Sequence, residues 1–243
     1  MRKRKKRKKK KKKRNFFLKI IFLGLLFFLF LNLPFFKIKE IKIEGDSSFK
    51  KELAKVFQEN QNFFFFSSKK IEKILKKHPE IKKLEIKRIF PNKLFLKIIK
   101  RKEIANLKKE KESFILGDDG VVLKKGENKN LFLIVLKEKK EVKEGKKIFE
   151  EEFVKELLEV QKKLYQKGFF LKKVIIKPLE MEMELQEKKK IKLFLSKKTP
   201  LRVQIDVFFE VFERSLSLKE KEKLEYIDLR YVKADKSGKV YFK

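Results

Sequence analysis

The sequence predicts an α+β protein held to a membrane by one N-terminal helix, with a β-α-α-β-β domain followed by a second, β-rich mixed domain. Three observations lead there. A run of cations precedes an apolar stretch of spanning length that carries a single charge. The hydrophobic period then changes to short alternating segments separated by two helical ones. Alternating segments around a single long amphipathic helix fill most of the remainder, up to a final strand at the C-terminus.

After the start methionine, every residue from Arg2 to Arg14 is Lys or Arg. Such a run neutralises phosphates and releases counterions when it meets nucleic acid. Beside an apolar segment it instead holds its side of a membrane in the cytoplasm. The following residues favour the second role. NFFLKIIFLGLLFFLFLNLPFF carries one charge, Lys19, between Phe16 and Phe36. As a helix these residues would reach about 31 Å, close to the roughly 30 Å of bilayer hydrocarbon. Lys19 lies one turn inside the basic end, where its stem can snorkel to the headgroups. LNLPFFKIKE offers no small-x-small cleavage pattern, so the expectation is an uncleaved signal anchor. Residues 1–15 are then a cytoplasmic tail, 16–36 the transmembrane helix, and residues 37 onward extracytoplasmic at the cell membrane. Anionic lipid is a further partner for the tail, at about 1 kcal/mol per basic residue near the surface.

The chain has a formal charge of +35, with 69 Lys and Arg against 34 Asp and Glu. Scattered lysines read as solvated faces, and no specific nucleic acid is expected. There is no Cys, which removes disulfides and thiolate chemistry. The lone His78 precedes Pro79 at an expected helix end and reads as a turn residue.

In the first external domain, KIKEIKIEG (37–45) alternates, with Ile41 and Ile43 on one face, and ends at a glycine turn. Asp46, Ser47 and Ser48 offer caps for a helix with Phe49, Leu53, Val56 and Phe57 at helical spacing. Ser67 or Ser68 caps a second helix carrying Ile71, Ile74 and Leu75, and His78-Pro79 ends it. IKKLEIKRIF and KLFLKIIKR then alternate around Pro91-Asn92, with Leu94, Leu96 and Ile98 on one face. Two helices packed on a three-stranded sheet follow from this order.

The second external domain, 106–243, starts with two short strands around the Asp118-Asp119-Gly120 turn, where adjacent carboxylates before a glycine read as turn residues. LFLIVL (131–136) is a buried strand. FEEEFVKELLEVQKKLYQKG (149–168) is an amphipathic helix with Phe153, Leu157 and Leu158 inward and Gly168 as its stop. Strands follow near 169–177, 180–186 and 190–195. LRVQIDVFFEVFERS (201–215) fits either period. KLEYIDLRYV (223–232) alternates, with Ile227, Leu229 and Tyr231 on one face and Asp228 and Arg230 on the other.

These stretches resemble a known family. The order of the first external domain, 37–105, is that of a POTRA domain, and its details resemble the bacterial cell-division FtsQ/DivIB family. NFFFFSSKKI (62–71) resembles the family's N-L-F-x-L-D-L-x-K-I stretch. PEIKKLEIKRIFPNKLFLKI (79–98) is similar to P-W-V-x-x-A-x-V-x-R-x-W-P-N-x-L-x-I-x-V, with Pro79, Ile81, Arg88, Pro91, Asn92 and Leu94 on matching positions. Phe90 stands where Trp is usual, and Lys100 and Glu103 where Glu and Pro are usual. YIDLRY is similar to the family's terminal I-D-L-R-Y strand, and Lys239–Phe242 fits the strand after it. For 201–215 the resemblance favours a helix.

No P-loop, dinucleotide fingerprint, nucleophile elbow or zinc-ligand spacing is present in the sequence, so binding rather than catalysis is expected, with no cofactor and no metal. The resemblance implies a divisome scaffold at the septum. It would recruit FtsB/DivIC-like and FtsL-like partners and other division proteins through an exposed C-terminal edge strand, and so help control septal cell-wall synthesis. Arg230, Tyr231, Lys239, Val240, Tyr241 and Phe242 are the partner-contact positions by that carry-over. The alternatives are a membrane-anchored nucleic-acid binder acting through the tail, and a POTRA-bearing transport component.

Overall fold

In the computed structural model the chain forms two compact units, Met1–Leu75 with Ile81–Ile99, and Lys76–Glu80 with Lys100–Lys243. The structure describes residues 2–45, 49, 51, 53, 62–64, 69–187 and 190–243, with side chains from residue 16 onward except at 69–72.

The first unit begins with α1 (Arg2–Leu31). Its apolar side chains from Phe16 to Phe30 are 47–68% exposed. The helix stops at Leu31, short of the expected Phe36, and a single 3-10 turn, Pro34–Phe36, follows. Pro34 accounts for the early stop, since it disfavours helical geometry in Leu33 and supplies no N–H. From Phe16 to Leu31 the helix is about 24 Å long. Among the described residues, no helix is both long and apolar enough to cross a membrane.

The expected three-stranded sheet is present. Strands β1 (Glu40–Glu44), β2 (Ile81–Ile89) and β3 (Lys93–Lys100) lie in the order β1-β3-β2, with β1 parallel to β3. The predicted face of β3 is inward: Leu94, Leu96 and Ile98 are buried, with Ile38, Phe49, Leu53, Phe63, Ile74 and Ile81. Helix α2 (Lys69–Lys77) contributes Ile74 to this core. The helix expected over 49–57 falls mostly outside the described residues, as do Val56, Phe57 and the capping positions Asp46, Ser47, Ser48, Ser67 and Ser68.

The second unit is one nine-stranded sheet with helices on one face. Its strands are β4 (Glu103–Lys109), β5 (Glu112–Gly117), β6 (Val122–Lys125), β7 (Phe132–Leu136), β8 (Phe170–Ile176), β9 (Glu180–Gln186), β10 (Lys190–Ser196), β11 (Tyr226–Asp228) and β12 (Tyr241–Phe242). Their order is β12-β11-β10-β9-β8-β7-β4-β5-β6. Alternation explains the burial: Met181, Met183 and Leu185 of β9 and Ile191, Leu193 and Leu195 of β10 all point into the core. On the other face Glu182 and Glu184 meet Lys177 and Lys190, a solvated surface laced with ion pairs.

Two crossovers carry the helices. α3 (Glu151–Gln166) links the parallel pair β7 and β8, burying Val154, Leu157, Val160 and Leu164. Phe153 and Leu158, expected inward, are only partly buried at the margin of this core. α3 ends in a Schellman motif, in which the Gly168 N–H donates to the Tyr165 carbonyl and the Phe169 N–H to the Leu164 carbonyl. Gly168 has a φ of +85°, the left-handed geometry that stop requires. The ambiguous 201–215 stretch is a helix: α4 (Leu201–Glu210) continues into a π-helical turn, Val211–Ser215. Leu201, Ile205, Phe208 and Phe209 are buried, so the 3.6-residue period prevails over the alternating one.

The Asp118-Asp119-Gly120 segment is a turn between β5 and β6, as read from the sequence, but Asp119 has a further task. Its carboxylate accepts two bonds from Arg101 Nε, at 2.9 and 2.8 Å, and Arg101 Nη1 donates to the Pro79 carbonyl at 2.6 Å. Both side chains are nearly buried. Asp119→Ala removes this carboxylate from a nearly buried guanidinium and is expected to cost about 3–5 kcal/mol in denaturant unfolding. A loss below about 1 kcal/mol, the value of an exposed pair, would show that the pair is not structural.

Candidate functional site

The nine-stranded sheet does not close, so it has two edges, and the chain treats them differently. At β6 the segment 145–148 covers the edge. The Val122 N–H donates to the Lys146 carbonyl at 3.0 Å, the Gly145 N–H donates to the Val122 carbonyl at 2.8 Å, and Val121 bridges to Lys147. At the opposite end, β12 is the last strand in the sheet.

Strand β12 pairs antiparallel with β11 in the register Ile227↔Phe242 and Asp228↔Tyr241. Lys243 and Tyr226 exchange both backbone bonds, at 3.3 and 3.2 Å. Antiparallel pairing alternates, so Tyr241 also faces β11, while Phe242 between them turns its N–H and C=O to the open side. That is a short template for an added strand.

β11 is shorter than the sequence reading of 223–232. It runs parallel to β10 over Tyr226–Asp228 and then turns. The Asp228 carboxylate causes the turn by accepting from the Arg230 N–H at 3.0 Å, a local bond that competes with the ladder. Ile227 and Leu229 are buried as expected. Tyr231 leaves their face and is 58% exposed. The final strand covers Tyr241–Phe242 rather than all of Lys239–Phe242.

Arg230 faces inward electrically although its side chain reaches the surface. Nε and Nη2 donate to Asp228, Nη2 at 2.7 Å, and Nη1 donates to Glu180 of β9 at 2.7 Å. The guanidinium also lies over the Phe194 ring of β10, 5.5 Å from its centroid. One side chain thus spans three strands. Burial pushes the Asp228 carboxyl up, but the bonds from the Arg230 side chain and backbone together outweigh it and hold the acid below its ordinary value. The Glu180 carboxyl is held low first by Lys177 and then by Arg230. Arg230 itself is raised by the same two carboxylates, Asp228 first.

The remaining expected contact positions gather at the edge. Tyr231 and Tyr241 meet edge to face at 5.7 Å. Tyr241 is 50% and Phe242 45% exposed, Lys239 is exposed, and Val240 packs partly on the core. Gly238 (φ +128°) brings the returning chain into place, because a Cβ there would lie 2.1 Å from the Tyr231 carbonyl oxygen. Beside β12 a shallow groove of about 290 Å³ is lined by Lys219, Glu220, Lys223, Leu224, Phe242 and Lys243. Its wall is α5 (Leu218–Lys223), started by a capping box between Ser217 and Glu220. That Ser-x-x-Glu signal is legible in the sequence at Ser217 and Glu220. The Asp228–Arg230–Glu180 bracket has no comparable signal, because Glu180 lies fifty positions away.

Among the described residues, no group of three or more His, Cys, Asp or Glu is placed to hold a metal ion. A larger cavity of about 490 Å³ lies between the starts of α3 and α4, lined by Phe149, Phe153, Ile176, Met181, Lys197 and Leu201 among others. Its Glu138 is paired with Lys197 and Lys140.

Residues 36–101 match the family model of the FtsQ-type POTRA domain. The chain is 30% identical over 139 residues to the cell division protein DivIB of Clostridium tetani, covering 54% of this chain and 52% of that protein. It is 31% identical over 121 residues to the DivIB of Clostridium botulinum (strain Loch Maree / Type A3), covering 48% of this chain and 47% of that protein. The chain therefore spans about half the length of the curated relatives it matches. Both likenesses are thus to FtsQ/DivIB-type proteins, over part of this chain.

The bracket makes the C-terminal hairpin acid-sensitive. Folded values below the ordinary 3.8 for Asp228 and 4.5 for Glu180 mean that this stabilisation is complete above those values. It drains as the pH falls through the lower folded ones. Near-ultraviolet circular dichroism of the tyrosines should hold to below pH 3.8 and then fall. In Arg230→Ala the fall should move up in pH. Superimposable titrations would remove the bracket from the account.

Proposed function

We propose that this chain, a relative of the FtsQ/DivIB proteins carrying an FtsQ-type POTRA domain, is a bitopic scaffold of the bacterial division machinery. Residues 1–15 form a cytoplasmic tail and 16–36 the membrane anchor. Residues 37–105 and 106–243 are two extracytoplasmic binding domains at the septum. The partners are other division proteins, with an FtsB/DivIC-like and FtsL-like pair at the C-terminal edge. By holding them at the membrane, the scaffold helps control septal cell-wall synthesis. Binding, not catalysis, is its task.

The observation that carries the reading is the uneven treatment of the two sheet edges: among the described residues, one is paired with the segment 145–148 and the other ends at β12. An incoming strand would pair with the outward N–H and C=O of Phe242 and pack on Tyr231, Tyr241 and Phe242. Lys239 and Val240 extend the template. Arg230 works from behind, holding Asp228 and so the turn that presents Tyr231. The anchor is supported by the apolar surface of α1, whose side chains from Phe16 to Phe30 remain 47–68% exposed. A helix apolar all round belongs in lipid or in a protein core. The basic run beside it sets the orientation and adds attraction to anionic lipid.

Proline at Phe242 removes the outward N–H while leaving the β11-facing bonds of Tyr241 and Lys243 in place. Pull-down of the division partners by Phe242→Pro should fall about tenfold, the equivalent of one hydrogen bond to a well-placed partner. Undiminished capture by the folded variant would contradict strand addition. A fluorescently tagged copy should concentrate at mid-cell, and an even membrane distribution would count against the division role.

A further inference from the structure

The first unit carries a second exposed apolar surface, at the exit of α1, which strand pairing does not use. Two asparagines close the end of the helix. Asn32 Nδ2 donates to the Phe28 carbonyl at 2.8 Å, and Asn62 Nδ2 donates to the Leu31 carbonyl at 2.7 Å. The Phe63 N–H donates to the Phe36 carbonyl at 2.8 Å, and Lys37 bridges to Asn62. The helix exit and the 62–64 segment of the POTRA domain are thus bonded directly, with no free linker between them.

Phenylalanines surround this tie. Phe36 is buried at the centre, with ring centroids 5.4 Å from Phe30, 5.3 Å from Phe35, 5.2 Å from Phe64 and 5.9 Å from Phe90. Phe63 is buried beside them, under Arg88. The outer rings are not covered: Phe35 is 55%, Phe64 36% and Phe90 64% exposed, and Ile89 and Leu33 extend the patch. Phe30 belongs both to the exposed face of α1 and to this cluster. The apolar surface therefore continues without a break from the helix onto the domain.

The occupant follows from that continuity and from a length. The apolar helix from Phe16 to Leu31 spans about 24 Å, some 6 Å less than the hydrocarbon of an average bilayer. A short span is accommodated by thinning the bilayer or by adding apolar surface at its end. The Pro34–Phe36 turn and the rings around it supply that surface where the deficit lies. We propose that Phe35, Phe64, Phe90 and Ile89 form a collar that inserts into the outer leaflet at the headgroup–acyl boundary and seats the POTRA domain on the lipid. This rests on the anchor reading above. Combined with the hydrogen-bonded helix exit, the collar sets which face of the domain looks along the membrane and which faces away from it.

The chain has no tryptophan, so single Trp variants report without background. Full-length Phe27→Trp, Phe64→Trp, Phe90→Trp and Tyr231→Trp are reconstituted in phosphatidylcholine vesicles containing lipids brominated near the headgroup or at mid-chain. Phe27→Trp should be quenched most by mid-chain bromine. Phe64→Trp and Phe90→Trp should be quenched at least about twofold by the shallow bromine, as side chains at the interface are, and Tyr231→Trp should be unaffected. Quenching at position 27, with positions 64 and 90 matching the unquenched position 231, would overturn the collar and leave the anchor intact. No quenching at position 27 would overturn the anchor and the collar with it. Phe35→Trp provides a second collar probe should either ring replacement fail to fold.

Discussion

An open sheet must end in a strand whose outward N–H and C=O groups have no neighbour, and the second unit is arranged around where that row is left. One end is closed by residues 145–148. The other is delivered to the surface by a chain of dependencies. The α3 and α4 crossovers bury one face of the sheet, β11 is laid parallel to β10, and β12 is laid against β11. Each step relies on the one before it. The last two rest on few bonds, which is why Arg230, spanning Asp228, Phe194 and Glu180, matters beyond its single charge.

How much of this was legible varied with the range of the interaction. Alternation placed β3, β9 and β10 and their inward faces, and helical spacing with a glycine stop placed α3. These are local patterns, and burial followed them. In 223–232 alternation continues through Leu229 and Tyr231, but the Asp228 carboxylate accepts from the Arg230 N–H and the strand ends at Asp228. Apolar composition runs on to Phe36, but Pro34 ends the helix at Leu31. The Arg230 bracket and the closing asparagine at 62 join residues far apart in sequence, so no window could contain them. Of the expected contact residues, Tyr231, Tyr241 and Phe242 come together at the edge, while Arg230 is turned to the interior network.

The two units then divide the work in our account. The basic tail and α1 orient and hold the chain, the POTRA domain stays close to the lipid, and the C-terminal sheet carries the partner template. In the proposed topology the thirteen cations of Arg2 to Arg14 would also draw the tail to anionic lipid, an attraction that falls away with distance and with salt. The proposed recognition at β12 would rely instead on backbone bonds and three aromatic rings, and so should be far less sensitive to ionic strength. An attachment by charge and a recognition by hydrogen bonding can be varied separately.

The central claim is that a partner adds a strand to β12, and the Phe242 amide reports on it directly. Free in solution, that N–H points away from β11 and should exchange with deuterated solvent at close to the rate of an unprotected amide. In complex with the division partners it should be protected to a level comparable with the β11 amides. Protection confined to the tyrosine side chains, or an unchanged Phe242 exchange rate in a complex that forms, would contradict the account.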